Sequence, residues 1–314
     1  MTAELPSRIG PYLVTELLGR GGSSPVYKAT DPASGRAVVV RLLSSHLREN
    51  PAAAERFDRE SRALNAAPHP NVVHVVATGT AGTEAARPYL VTEYFPGLRL
   101  DQLLRERRLT VPEIVSVMKG ICRGLAHIHQ NGVLHHHLSP HAVLVSPDLS
   151  AVKLNELGFT RVESLGLTGT ISTGAISLSS FHYLAPEQAD SSGSAAAPDH
   201  RADLYAAGVI FQEMITGRPP GGKFNLPSQS NSEALPETDV IVLKCLARNP
   251  SERYATAIDL LADLGRLEEA LRVRLLSEIR GITQKAAGPR RGLILAGIVL
   301  LLAVLVVAGY LLAR

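Results

Sequence analysis

The apolar residues of this chain change period once, near residue 95, and no other feature limits its fold as much. Before that point "YLVTELLG", "SPVYKAT", "AVVVRLL" and "PYLVTEYF" read as short strands, with turn signals such as "DPASG" between them. A helical stretch, "AAAERFDRESRALNAA", interrupts the strands. From about Leu100 apolar residues recur every three or four positions, as in "EIVSVMKGICRGLAHIHQNG", which closes on Asn131 and Gly132. Further helices are expected at "ADLYAAGVIFQEMITG", "TDVIVLKCLAR" and "TAIDLLADLGRLEEALRVRLLSEI". Segments 158–182 and 218–236, rich in Ser, Thr, Gly, Pro and Asn, read as loops. The pattern predicts an α+β chain with a small β-rich lobe over residues 1–95 and a larger helical lobe over 96–271.

With 314 residues, 45% hydrophobic and 19% charged, the chain is able to bury a sizeable core. Its formal charge of +3, the absence of tryptophan and the lack of basic runs interleaved with aromatics argue against nucleic acid as a partner. Cys122 and Cys245 stand far apart in sequence, which predicts neither a disulfide framework nor a cysteine zinc site and suits a reducing compartment.

The run "GLILAGIVLLLAVLVVAGYLL", Gly292 to Leu312, carries no charge on any face. At 1.5 Å per residue it spans the ~30 Å of a bilayer core, so a transmembrane helix is expected over 292–313. Lys285, Arg290 and Arg291 precede it and only Arg314 follows, which places residues 1–291 in the cytoplasm of a single-pass protein in the cell membrane. The opening "MTAELPSRIG" has no apolar run to act as a signal sequence. Residues 272–291 form a basic juxtamembrane segment, suited either to anionic lipid or to a solvated helix face.

Three motifs stand in order: "GVLHHHLSPHAVLV", "YLAPEQ" and "ADLYAAGVIFQEMITGRPP". With them, residues Ile9 to Leu271 resemble the eukaryotic-like serine/threonine protein kinases of bacteria. The resemblance implies a bilobal protein-kinase-like fold. It implies that Glu187 pairs with Arg253, that Asp203 holds the backbone of the catalytic loop, and that Glu60 pairs with the residue at 41. Between the "TGRPP" turn and "TDVIVLKCLAR" the chain is shorter than the family pattern and leaves little room for the helix usual there.

The residues that carry chemistry depart from that pattern. Phosphoryl transfer in the family rests on a glycine-rich loop, a lysine, a catalytic aspartate, and an asparagine and an aspartate that hold magnesium. Here Gly19 and Gly21 keep two glycines of the nucleotide loop, but Ser24 replaces the third and Pro25 follows it. Arg41 replaces the lysine, His137 the aspartate, Ser139 the loop lysine and Ala142 the asparagine, while Glu156 opens "ELG" where the family has DFG. Lys28 and Lys153 are not placed to substitute for the missing lysine. Adjacent histidines at 135, 136, 137 and 141 point in different directions along an extended loop, so no metal site is expected.

These departures lead to the expectation of a pseudokinase. Such a chain is no enzyme but a membrane-anchored scaffold or allosteric regulator, with an active kinase, a phosphopeptide-binding module or a membrane protein as partner. No cofactor is expected; the sequence leaves ATP binding open and argues against magnesium. The competing expectation is a divergent kinase of weak activity, with His137 as base, or a chain that binds nucleotide without turnover. Residues 158–182 also hold Ser164, Thr168, Thr170, Ser172, Thr173, Ser177, Ser179 and Ser180, acceptors another kinase could use.

Overall fold

The structure, a computed structural model, describes residues 5–21, 24–42, 68–81, 87–156, 178–189, 198–221 and 225–286. It divides into two units, Met1–Leu261 and Ala262–Arg314.

The first unit begins with an antiparallel sheet. Its strands are β1 (Arg8–Ile9), β2 (Tyr12–Gly21), β3 (Ser24–Thr30), β4 (Ala37–Leu42), β5 (Val75–Ala81) and β6 (Arg87–Glu93), in the spatial order β1-β2-β3-β4-β6-β5. Alternation along β4 does the positioning. Val38 and Val40 bury into a core with Tyr12, Ala29 and Val91, which turns Val39 and Arg41 to the other face.

The larger lobe is built on helices α1 (Leu100–Glu106), α2 (Val111–Gln130), α3 (Arg201–Thr216) and α4 (Pro236–Cys245), with a small sheet of β7 (Leu98–Arg99), β8 (Val143–Val145) and β9 (Val152–Leu154). Thr110 caps α2: its Oγ1 accepts from the Glu113 amide, and Glu113 Oε2 accepts from the Thr110 amide at 2.8 Å. The helix stops at Gly132, whose φ of +71° lies where glycine is favoured. It buries Ile114, Met118, Ile121, Leu125 and Ile128. Gly120 and Gly124 let β9 settle directly on α2: a Cβ at Gly120 would lie 2.6 Å from Val152 Cβ, and one at Gly124 2.6 Å from the Asn71 carbonyl. Between α3 and α4 the described residues of the shortened segment hold a single helical turn, Pro227–Ser230, and the Ser228 amide bonds to Asp239 at 2.9 Å.

Helix α5 (Ala257–Ala286) runs from the first unit into the second. Within the second unit its surface carries the pairs Arg266–Asp263, Arg272–Glu269 and Arg274–Glu278, and it exposes Val273, Leu275 and Ile282. Among the described residues no helix is long and apolar enough to cross a membrane. The run 292–312 and the expected helix at 52–67 both lie outside the described residues.

Candidate active site

A small cleft opens between the two lobes, most of its empty space being open to solvent at the mouth. Val26, Val39 and Arg41 line it from β3 and β4, Leu90 and Thr92 from β6, and Asn155 and Glu156 from the residues after β9. Arg41 arrives there because it shares a strand face with Val39. Strand register links the glycine hairpin to the same edge, since Gly19 pairs with Val26 and Val26 with Arg41.

At the inner end the Arg41 guanidinium donates to Glu156 Oε1 in a close ion pair. Burial pushes the Glu156 carboxyl upward, but the charge and hydrogen bond of Arg41, with smaller contributions from His141 and His135, outweigh it and hold the group below the usual carboxylate range. Glu156 is therefore ionised at neutral pH. Its backbone is left-handed, φ +59°, while the preceding Asn155 amide is fixed on the Ala142 carbonyl at 2.8 Å.

The loop of residues 133–142 is held by atoms outside the cleft. Asp203, buried on α3, accepts from the His135 amide and the His136 amide, each at 2.8 Å, and from His129 Nε2 at 2.9 Å. Burial pushes the Asp203 carboxyl up, yet His129 and His135 with these bonds pull it below its ordinary value. Gln188 Nε2 donates to the His136 carbonyl at 3.1 Å. Clamped on both sides, His136 takes a φ of +65°, a conformation that costs a non-glycine residue about 1–3 kcal/mol. His137 follows directly, half-buried, its amide on the His135 carbonyl at 2.9 Å. Ser139 and Ala142 are buried around a 3-10 turn, Pro140–Ala142.

Glu187 and Arg253 come together as a bidentate pair at 2.7 and 2.8 Å. The remaining Arg253 donors reach the carbonyls of Ala247, Arg201 and Arg248, so all five N–H groups are engaged. Glu60, Leu157, Gly158 and the acceptors Ser164 to Ser177 lie outside the described residues. Sequence reasoning assigned no part to Gln188, His129 or Asn71, whose side chain donates to the Val152 carbonyl at 2.8 Å. Gln188 stands inside a quoted motif; the other two carry no signal beyond being polar. Lys153 and Lys28 are engaged elsewhere, on Glu93 and over the Tyr94 ring.

A family model described as the protein kinase domain matches residues 12–279. The chain belongs to the protein kinase domain family. It is 33% identical to Serine/threonine-protein kinase PknB of Mycobacterium tuberculosis over 90% of this chain and 47% of that protein. It is 34% identical to the PknB of Mycolicibacterium smegmatis, over 82% and 43%. The chain thus spans about half the length of the curated relatives it matches. The crystal structure of the Mycobacterium tuberculosis PknI kinase domain superposes with a TM-score of 0.66 at 22% identity, covering 84% of this chain and all of that one, and shares the bilobal fold.

These matches correct two expectations. The reading of the chain as no enzyme is overturned by relatives named serine/threonine-protein kinases at this identity over most of the chain. The expectation of no cofactor, with the sequence arguing against magnesium, falls for the same reason, because kinases of this family take ATP with magnesium. The cleft residues fit that requirement in a reduced form. Magnesium keeps several waters and needs only one or two carboxylates besides substrate phosphates, and ionised Glu156 offers one carboxylate although Ala142 offers no side-chain donor.

Proposed function

We propose that this kinase domain is a divergent, membrane-anchored serine/threonine protein kinase that transfers the γ-phosphoryl group of ATP to a hydroxyl of a protein substrate. The observation that carries the reading is the ionised Glu156 carboxylate, held in a left-handed backbone against Arg41 at the inner end of an interlobe cleft. Val26, Val39 and Leu90 supply apolar walls for a base. Arg41 supplies fixed positive charge for phosphate oxygens, and its planar fork replaces the compact ammonium usual there. Glu156 would hold magnesium, which supplies charge neutralisation when bound with the nucleotide. His137, on the clamped loop, accepts the proton of the acceptor hydroxyl; a base of this kind contributes ~10²–10⁴-fold. The run 292–312 anchors the chain with the kinase domain on the cytoplasmic side, beside partners such as a second kinase, a phosphopeptide-binding module or a membrane protein.

The full chain, solubilised in detergent, is incubated with labelled ATP, magnesium or manganese, and a mixed protein substrate. Low but measurable transfer is expected, falling by roughly 10²-fold in His137→Ala and in Glu156→Gln. Wild-type counts equal to those of both variants would refute the reading.

A further inference from the structure

Two lysines that have no place in the cleft chemistry both end where strand β6 gives way to the linker between the lobes, residues 94–97. Strand β6 closes with Thr92 and Glu93, whose side chains leave on opposite faces. Thr92 lines the cleft, while Glu93 Oε1 accepts Lys153 Nζ at 2.7 Å and the His74 amide at 2.9 Å. Lys153 Nζ also reaches the Val72 carbonyl at 3.4 Å, and its side chain is only 15% exposed, so salt screens this pair less than a surface pair. On the next residue Lys28 Nζ sits 4.3 Å from the centroid of the Tyr94 ring.

The two lysines come from opposite walls. Lys153 stands on β9, three residues before Glu156. Lys28 stands on β3 with the spacing that puts it on the face of Val26, a cleft residue. The Val73 amide bonds to the Leu154 carbonyl at 2.8 Å and the Leu154 amide to the Asn71 carbonyl at 2.9 Å, so β9 is also stitched to the segment entering β5. Each wall therefore sends one cation onto one of two consecutive residues, Glu93 at the end of β6 and Tyr94 at the start of the linker.

We propose that Lys153 and Lys28 are positioning residues for the nucleotide: they fix Glu93 and Tyr94 against the two walls and so set the width of the cleft. The inference rests on the kinase reading only for what fills the cleft; the tether itself does not depend on it.

The test uses the full chain in detergent with two readouts, amide hydrogen exchange over residues 94–97 and the affinity for a fluorescent ATP analogue with magnesium. In Lys153→Met, and less so in Lys28→Met, exchange over the linker accelerates and the dissociation constant rises about tenfold, or ~1.4 kcal/mol. Lys153→Arg, which keeps a cation facing Glu93 and the Val72 carbonyl, retains both readouts near the wild-type values. Unchanged exchange in Lys153→Met overturns the tether, and faster exchange with unchanged affinity overturns its role toward the nucleotide. A wild-type chain that binds no analogue overturns that role and the kinase reading together, with exchange still reporting on the tether alone.

Discussion

Arg253 and His135 show how differently single residues secure the larger lobe. Every donor of Arg253 is taken, and removing Glu187 would strand a fully buried guanidinium, a loss on the order of 3–5 kcal/mol. His135 contributes as a neutral ring, since burial holds it below its ordinary 6.5 even though Asp203 and Glu156 face it and pull the other way. His69 is shifted in the same direction, by burial first and then by His127, Lys153 and Arg123. Below pH 6.5 the unfolded chain takes up protons that these folded sites refuse, so their stabilisation is complete above that value and is lost as pH falls. Glu156 and Asp203, held below their ordinary 4.5 and 3.8, add stability that is lost at still lower pH. The midpoint of thermal unfolding, followed by circular dichroism, should therefore fall from pH 7 to 5 and more steeply below 4.5, with the first limb flattened in His135→Leu. At this scale the motif order makes Glu187, Asp203 and Arg253 legible in the sequence. The contact of Arg41 with Glu156 is not, because a residue more than a hundred positions away, on another lobe, meets it only after folding.

Among the elements, the strands rich in branched and aromatic residues and the long helices are readable from periodicity, with bounds near those observed. Strand β5 is not, and its residues explain why. "VVATGTA" is written largely in small residues, and Gly79 leaves the space that the Tyr89 ring of β6 enters; a Cβ there would lie 2.4 Å from the Tyr89 hydroxyl. The two-residue and three-residue strands β7 to β9 are too short to show any period. Contact between α2 and β9 offers a direct check on the element scale. In Gly124→Ala the new methyl meets the Asn71 carbonyl and the Leu154 side chain at once, and that carbonyl cannot retreat without disturbing its bond to the Leu154 amide on β9. A loss of about 1–3 kcal/mol in urea unfolding is expected, together with weaker nucleotide binding because Glu156 stands two residues after β9.

For the whole molecule, the two-lobed plan follows from the single change of period, whereas the assignment to kinases follows from motifs and relatives. The apolar run at 292–312 gives the clearest prediction at this scale: the full chain sediments with membranes and resists carbonate extraction, while a chain ending at Ala286 stays in the supernatant. Equal extraction of both would place the anchor elsewhere. Asp203 holds the neighbouring loop through the main-chain amides of His135 and His136, groups that every residue but proline owns. The grip is thus blind to which side chains the loop displays, and substitutions at its tip can be sampled by mutation while the platform beneath stays put.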